Sequence, residues 1–339
     1  MGEKVEFSPS SLRTVEAIGN SGNGAGMKAE SLNTVLRAVK HGRIRQSLAY
    51  WCLNAPPWHW DIERICATAV DLGCPSVELV PPESWPVLRK HGLTCALAHN
   101  GMPDPVFRKG LNNPRYHEEV IARTKGAIDQ AADFAVPNVI AFTGYRWRDA
   151  EDPASGEISL ADGAASSVKA LLELGDYARN KNVTLCLEHL NTREDSDPMK
   201  GHPGYHGDDI DYCADIVKQV NSNQVKLLFD IYHVQIMNGD VIRRLKQYRD
   251  LIGHVHTAGN PGRGELDDLQ EINYPAIMRT LLHIGYKGYV GQEFIPTREP
   301  LSGLVACPRE FVTADPASRI RVFPLKRSGI GGIGIDVAT

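Results

Sequence analysis

Four residues in the second half of the chain combine suitable chemistry with a shared placement: Glu188, Asp230, His256 and Glu293. Each closes or nearly closes a short apolar run: VTLCLE (183–188), VKLLFD (225–230), IGHVH (252–256) and YVGQEF (289–294). Short apolar runs bounded by turn residues read as buried strands. A carboxylate at the end of such a strand is costly to bury unless a cation or hydrogen-bond donors meet it. Taken singly, each residue has an ordinary structural use. Asp230 suits a helix N-cap, and the others read as a core histidine or loop charges. Brought together, three carboxylates repel, and some must stay protonated. One divalent cation removes that conflict. Mixed oxygen and nitrogen ligation suits Mg2+, Mn2+, Co2+ or Zn2+, and the carboxylate majority leans toward Mg2+ or Mn2+.

The elements that must position these residues begin at Arg43, where strand-like and helix-like stretches start to alternate. Strands are expected at 44–51, 76–80, 94–99, 138–142, 183–188, 225–230, 252–256 and 289–294. Between them lie amphipathic helices, the first from Asp61 to Gly73, a later one capped by Asp162, and another opened by Asn273 and Pro275. Repeated strand–helix units imply a parallel sheet. Eight such units close a (β/α)8 TIM barrel of roughly 250 residues. An open doubly wound sheet carries a Gly-rich turn after its first strand, and residues 50–57, YWCLNAPP, contain none. In a barrel the chemistry sits at the C-terminal ends of the strands, where the four residues fall. Glu78, in SVELV (76–80), reads as a charge paired within the barrel.

Composition excludes several other classes. With 42% hydrophobic and 23% charged residues, the 339-residue chain is globular in character. Its net charge is -4 and no basic block is interleaved with aromatics, which argues against nucleic acid as a partner. The 7 cysteines are odd in number, sit mostly in apolar runs and form no CxxC pair. They read as reduced, buried thiols. No run of eighteen apolar residues occurs, so no membrane span is expected. Residues 1–26 lack the apolar core of a signal peptide, which points to a cytoplasmic protein. The expected organisation is a leader at 1–42 with a short amphipathic helix (Leu32, Val35, Leu36, Val39), a barrel at 43–296 and an irregular tail at 297–339. In the tail, Pro300, Pro308, Pro316, Pro324 and the Gly-rich end interrupt every helical window. The last barrel helix is therefore expected to be poorly formed. A short strand-like segment is expected at Ile320, Val322 and Phe323.

The runs LEHLN (187–191), FDIYHVQIMNGD (229–240), GHVHTAGNPGRGE (253–265), EINYPAI (271–277) and GYVGQEFIP (288–296) carry a family resemblance. The chain resembles the xylose isomerase-like sugar isomerase/epimerase barrels, and within them the hydroxypyruvate isomerase group. The resemblance implies that Glu188, Asp230, His256 and Glu293 hold one divalent metal. It also implies that Glu188 and Glu293 face each other across the substrate as acid and base. The implied reaction moves a proton between adjacent carbons of hydroxypyruvate, through an enediolate, to give tartronate semialdehyde. His233 and Arg263 are the expected substrate contacts, with His99 a further candidate. Arg263 suits a bidentate pair with a substrate carboxylate. Two departures stand out. The group usually has Gln where this chain has His256, as ketose 3-epimerases do, and LEHLN replaces the commoner LEPIN.

Three other readings follow from the same fold. Ketose 3-epimerisation and aldose–ketose isomerisation use the same chemistry. A related endonuclease barrel cleaves abasic DNA with three zinc ions, which requires more His and Glu ligands and a basic surface. A barrel without activity would serve as a binding domain, but retention of all four rim residues argues against loss of the site. The expected partner is a small hydroxy-carbonyl molecule, with no nucleic acid and no membrane, and homo-oligomer formation is left open.

Overall fold

The computed structural model describes residues 42–196 and 199–305. Seven parallel strands form one sheet: β1 (Arg45–Ala49), β2 (Ser76–Glu78), β3 (Asn138–Phe142), β6 (Thr184–Glu188), β7 (Val225–Asp230), β8 (Ile252–Thr257) and β9 (Tyr289–Gln292). Their spatial order is β2-β1-β9-β8-β7-β6-β3. The first strand pairs with the last, Ser47 against Gly291, so the sheet curls. Residues 94–98 span the gap between β2 and β3. There Leu79 donates its N–H to the Leu97 carbonyl (2.8 Å), and Ile140 donates to the Ala98 carbonyl (3.0 Å). The expected third strand is thus a stave held by isolated bridges, Ser76 to Thr94 and Ala98 to Val139. With it the wall of a TIM barrel is complete.

The helices start and stop for local reasons. Asp61 caps Ile62–Leu72 by accepting the Arg64 N–H (2.8 Å), and Gly73 ends it at φ 81. Ile65, Cys66, Ala69 and Leu72 face inward and are fully buried, as their spacing predicts. Fully burying an aliphatic side chain such as Leu72 contributes about 1.5–3 kcal/mol. For the long helix Leu160–Lys181 the expected cap is corrected. Ser159, not Asp162, is the N-cap, accepting the Asp162 N–H at 3.1 Å, and the Asp162 side chain accepts the Ser159 hydroxyl at 2.7 Å. This reciprocal pairing shifts the start upstream of the carboxylate.

Two further features depart from expectation. An antiparallel hairpin, β4 (Trp147–Asp149) with β5 (Asp152–Glu157), precedes that helix. Its second strand, DPASGE, is largely exposed and has no alternating apolar pattern to betray it. Residues 300–305 are helical, where irregular chain was expected from 297. Pro300 sits at the start, where its missing N–H costs nothing. Leu304 is buried, and Gly303 lies against the Phe294 ring. The leader helix at 32–39, the segment at 320–323, Cys307 and the rest of the tail lie outside the described residues. The other six cysteines are free and buried. No described helix is long and apolar enough to cross a membrane.

Candidate metal and acid–base site

Strand register brings the four rim residues to one level. Asp230 pairs across to His256, and His256 to Gly291, two residues before Glu293. Glu188 ends β6, the neighbour of β7. One ligand atom from each of Glu188, Asp230, His256 and Glu293 lies within 4.8 Å of the others. All four residues are buried.

Asp230 is an N-cap, the ordinary structural use expected of it. Its Oδ1 accepts the N–H groups of Tyr232 (2.8 Å) and His233 (3.2 Å), capping helix Ile231–Met237. Its Oδ2 is left facing Arg263 Nη2 at 3.9 Å. His256 presents Nδ1 to Glu293 Oε2 at 3.0 Å and to Glu188 Oε1 at 3.5 Å. Neither contact has hydrogen-bond geometry, and both His256 Nδ1 and Glu188 Oε1 are buried without a partner. Buried polar atoms are normally satisfied. Orphaned atoms converging from separate strands are what a cation site presents, and this donor set of three carboxylates and one imidazole fits a divalent ion.

The carboxylates do not titrate alike. Burial pushes Glu188 up to about 7, against the pull of nearby His256. Burial likewise pushes Asp230 up to about 6, opposed mainly by Arg263. Burial acts on Glu293 in the same sense, but His256 and Arg263 together hold it well below the usual carboxylate range. Glu293 accepts the Trp51 indole N–H through Oε1 (2.9 Å) and Arg263 Nη2–H through Oε2 (2.6 Å).

A cavity of about 220 Å3 opens onto this cluster. Its wall is mostly apolar, with Leu79, Phe107, Ile140, Phe142, Leu190 and Met199, and Glu188, Glu293 and Arg263 lie at its polar end. Arg263 is a buried residue, not a solvated loop charge. Besides Glu293 it reaches the Met199 carbonyl, and its Nε has no partner. His99 lines the cavity and is tethered to the Leu79 carbonyl through Nε2 (3.0 Å). His233 does not line it. Its Nδ1 receives the Asn191 backbone N–H (3.1 Å) and side-chain amide (2.7 Å), leaving Nε2 3.6 Å from Asp230 Oδ2. The cap turn folds the His233 ring onto Asn191, and its Nε2 is buried without a partner beside Asp230.

Sequence reasoning missed Trp51, His202 and His254, while Glu78 is paired within the barrel as expected. Trp51 and His202 line the cavity. Glu78 carried the same signal as the four rim residues, a carboxylate in an apolar strand, but its partners lie 176 and 178 residues away.

The family model of the xylose isomerase-like TIM barrel matches residues 66–313, past Pro296, where the last family-like motif ends. The 2-oxo-tetronate isomerase of Cupriavidus necator (strain ATCC 17699 / DSM 428 / KCTC 22496 / NCIMB 10442 / H16 / Stanier 337) is 30% identical over 252 residues, covering 73% of this chain and 91% of that protein. The hydroxypyruvate isomerase of Escherichia coli (strain K12) is 34% identical over 140 residues, 41% of this chain and 51% of its own length. Among solved structures, AP endonuclease, family 2 from Brucella melitensis superposes with a TM-score of 0.65 at 24% identity, over 77% of this chain and 97% of that one. An L-ribulose 3-epimerase does so at 0.63 and 18% identity, over 83% and 100%. These two likenesses establish the fold alone. Barrel, rim and full-length relative agree: the chain belongs to the xylose isomerase-like TIM barrel family, beside relatives named as isomerases.

Proposed function

We propose that this chain is a divalent-metal-dependent isomerase that interconverts hydroxypyruvate and tartronate semialdehyde. The observation that carries the reading is the convergence of Glu188, Asp230, His256 and Glu293 within 4.8 Å of one another beside the cavity. These four would hold one Mg2+ or Mn2+, with Co2+ or Zn2+ also matching the donor set, and when bound it supplies Lewis-acid stabilisation of charge on adjacent substrate oxygens.

The chain's own residues divide the proton work. Glu293, which accepts N–H bonds from Trp51 and Arg263, takes the proton from the hydroxymethyl carbon. Glu188, which converges on the same point as Glu293, delivers a proton to the neighbouring carbon. One carbon-bound proton is lost and one gained, and the hydroxyl proton moves to the former carbonyl oxygen, so the product is an isomer. Arg263 turns toward the substrate carboxylate, a role supported by its unpartnered Nε beside the cavity. The apolar wall limits water around the enediolate. A cytoplasmic setting suits six free, buried thiols.

A second reading takes the four-carbon acid 2-oxo-tetronate as substrate. It is favoured by the relative of that name, which aligns over 91% of its length. An activity panel tests both. Hydroxypyruvate, 2-oxo-tetronate and several ketoses are assayed with and without chelator. Turnover of one of the acids, lost with EDTA and restored by Mn2+, is expected. Chelator-insensitive turnover would reject the metal dependence, and turnover of ketoses alone would reject the acid substrate and favour the epimerase reading that His256 suggested.

A further inference from the structure

The reaction proposed above leaves Glu78 unused. This residue is fully buried at the end of β2, and it meets His256 from the side away from the converging carboxylates. His256 Nε2 lies 2.8 Å from Glu78 Oε1, and His254 Nε2 lies 3.1 Å from the same oxygen. A neutral imidazole has one N–H and one lone pair. Committing the Nε2–H of His256 to Glu78 leaves the lone pair on Nδ1, the atom that faces Glu188 and Glu293.

A second observation comes from β9. A Cβ at Gly291 would lie 2.1 Å from Glu78 Oε1 and 2.9 Å from His256 Cδ2. Gly291 is not among the residues with positive φ, so its lack of a side chain answers a steric need, not a conformational one. A glycine inside a strand often marks such a close approach. The space its side chain would fill is taken by the Glu78 carboxylate.

We propose that Glu78 is a positioning residue: it fixes the ring orientation and the bare Nδ1 of His256, and Gly291 is the seat that lets it do so. The inference rests on the reading of the rim residues as a cation site. Glu78 does not line the cavity and acts only through His256. Outer carboxylates of this kind typically change metal affinity about 10–100-fold when removed.

The test uses the full chain stripped of metal, titrated with Mn2+ by calorimetry. Glu78→Gln keeps the side-chain volume and removes the charge. It is expected to weaken Mn2+ binding about 10–100-fold, with turnover recovering at saturating Mn2+. Gly291→Ala is expected to produce the same loss although it alters no ligand. A role in packing alone predicts that Glu78→Gln, with its volume conserved, binds Mn2+ as tightly as wild type, and that result overturns the proposal. Should both variants fail to fold, the 15N spectrum of the Mg2+-saturated wild type decides the matter. A protonated Nε2 and an unprotonated Nδ1 on His256 support the proposal, and a protonated Nδ1 overturns it. A wild-type chain that binds no divalent ion removes the cation-site reading itself, and the role of Glu78 with it. A wild type that binds, beside a Glu78→Gln variant that binds equally well, removes Glu78 alone.

Discussion

Arg263 Nη2 donates to Glu293 Oε2 at 2.6 Å, so the cation suited to a substrate carboxylate is already paired with the proposed base. The same oxygen lies 3.0 Å from His256 Nδ1. In the proposed reaction, substrate binding would redistribute a guanidinium that is already satisfied in part, and Arg263 would couple recognition to catalysis. Arg263→Gln should raise KM for an acid substrate at least tenfold and for a neutral ketose far less. Equal effects on both would show that Arg263 serves Glu293 and not the substrate.

Glu188→Gln and Glu293→Gln should each lower kcat by about 10²–10⁴-fold, because an amide accepts no proton. Circular dichroism should show both variants folded. Near-normal turnover in either would dismiss that residue from the proton transfer.

Metal removal should be visible without any substrate. Three buried carboxylates repel in the metal-free chain, and an ion bound at about 100 times its Kd stabilises the fold by about 2.7 kcal/mol. Melting curves in EDTA and in Mn2+ should differ by several degrees. Superimposable curves would remove the ion from the fold's stability.

The acid limb of stability should depend in part on His202. Burial, helped by the charge of Arg263, lowers its pKa to about 3. An exposed histidine in the unfolded chain titrates near 6.5. Between those values the unfolded chain binds the proton and the folded chain does not, so stability falls as pH drops from about 6.5 toward about 3. His202 packs edge-on to Phe107 with ring centroids 4.4 Å apart. His202→Phe should keep that packing and flatten the limb. Parallel stability profiles for the two proteins would contradict the assignment.

Leu304 tests the end of the barrel. It is 1% exposed within the helical stretch that follows β9. Leu304→Ala should destabilise the chain by about 2–5 kcal/mol, the usual range for a buried leucine. An unchanged urea midpoint would mean that this stretch does not belong to the cooperative unit.

The sequence by itself determined the barrel and its chemical rim. Short apolar strands at regular spacing require a parallel sheet, and the side chain at a strand's end is a local property of that strand. Glu188, Asp230, His256 and Glu293 were legible for this reason, as was the cap at Asp61. Only the tertiary structure decided what each rim residue faces. Arg263 and Glu293 stand 30 residues apart in sequence, Trp51 and Glu293 242, and Glu78 and His256 178, and no local pattern encodes such pairings. The spacing of His233 from Asp230 was legible, whereas the turn that folds its ring onto Asn191 was not. The exposed hairpin at 147–157 went unseen because it has no buried face to impose a period on its residues. The helical stretch at 300–305 was hidden by Pro300, a helix breaker in the interior that costs nothing in the first turn. Periodicity records which side of an element is buried, and pairing across the barrel depends on closure of the whole wall.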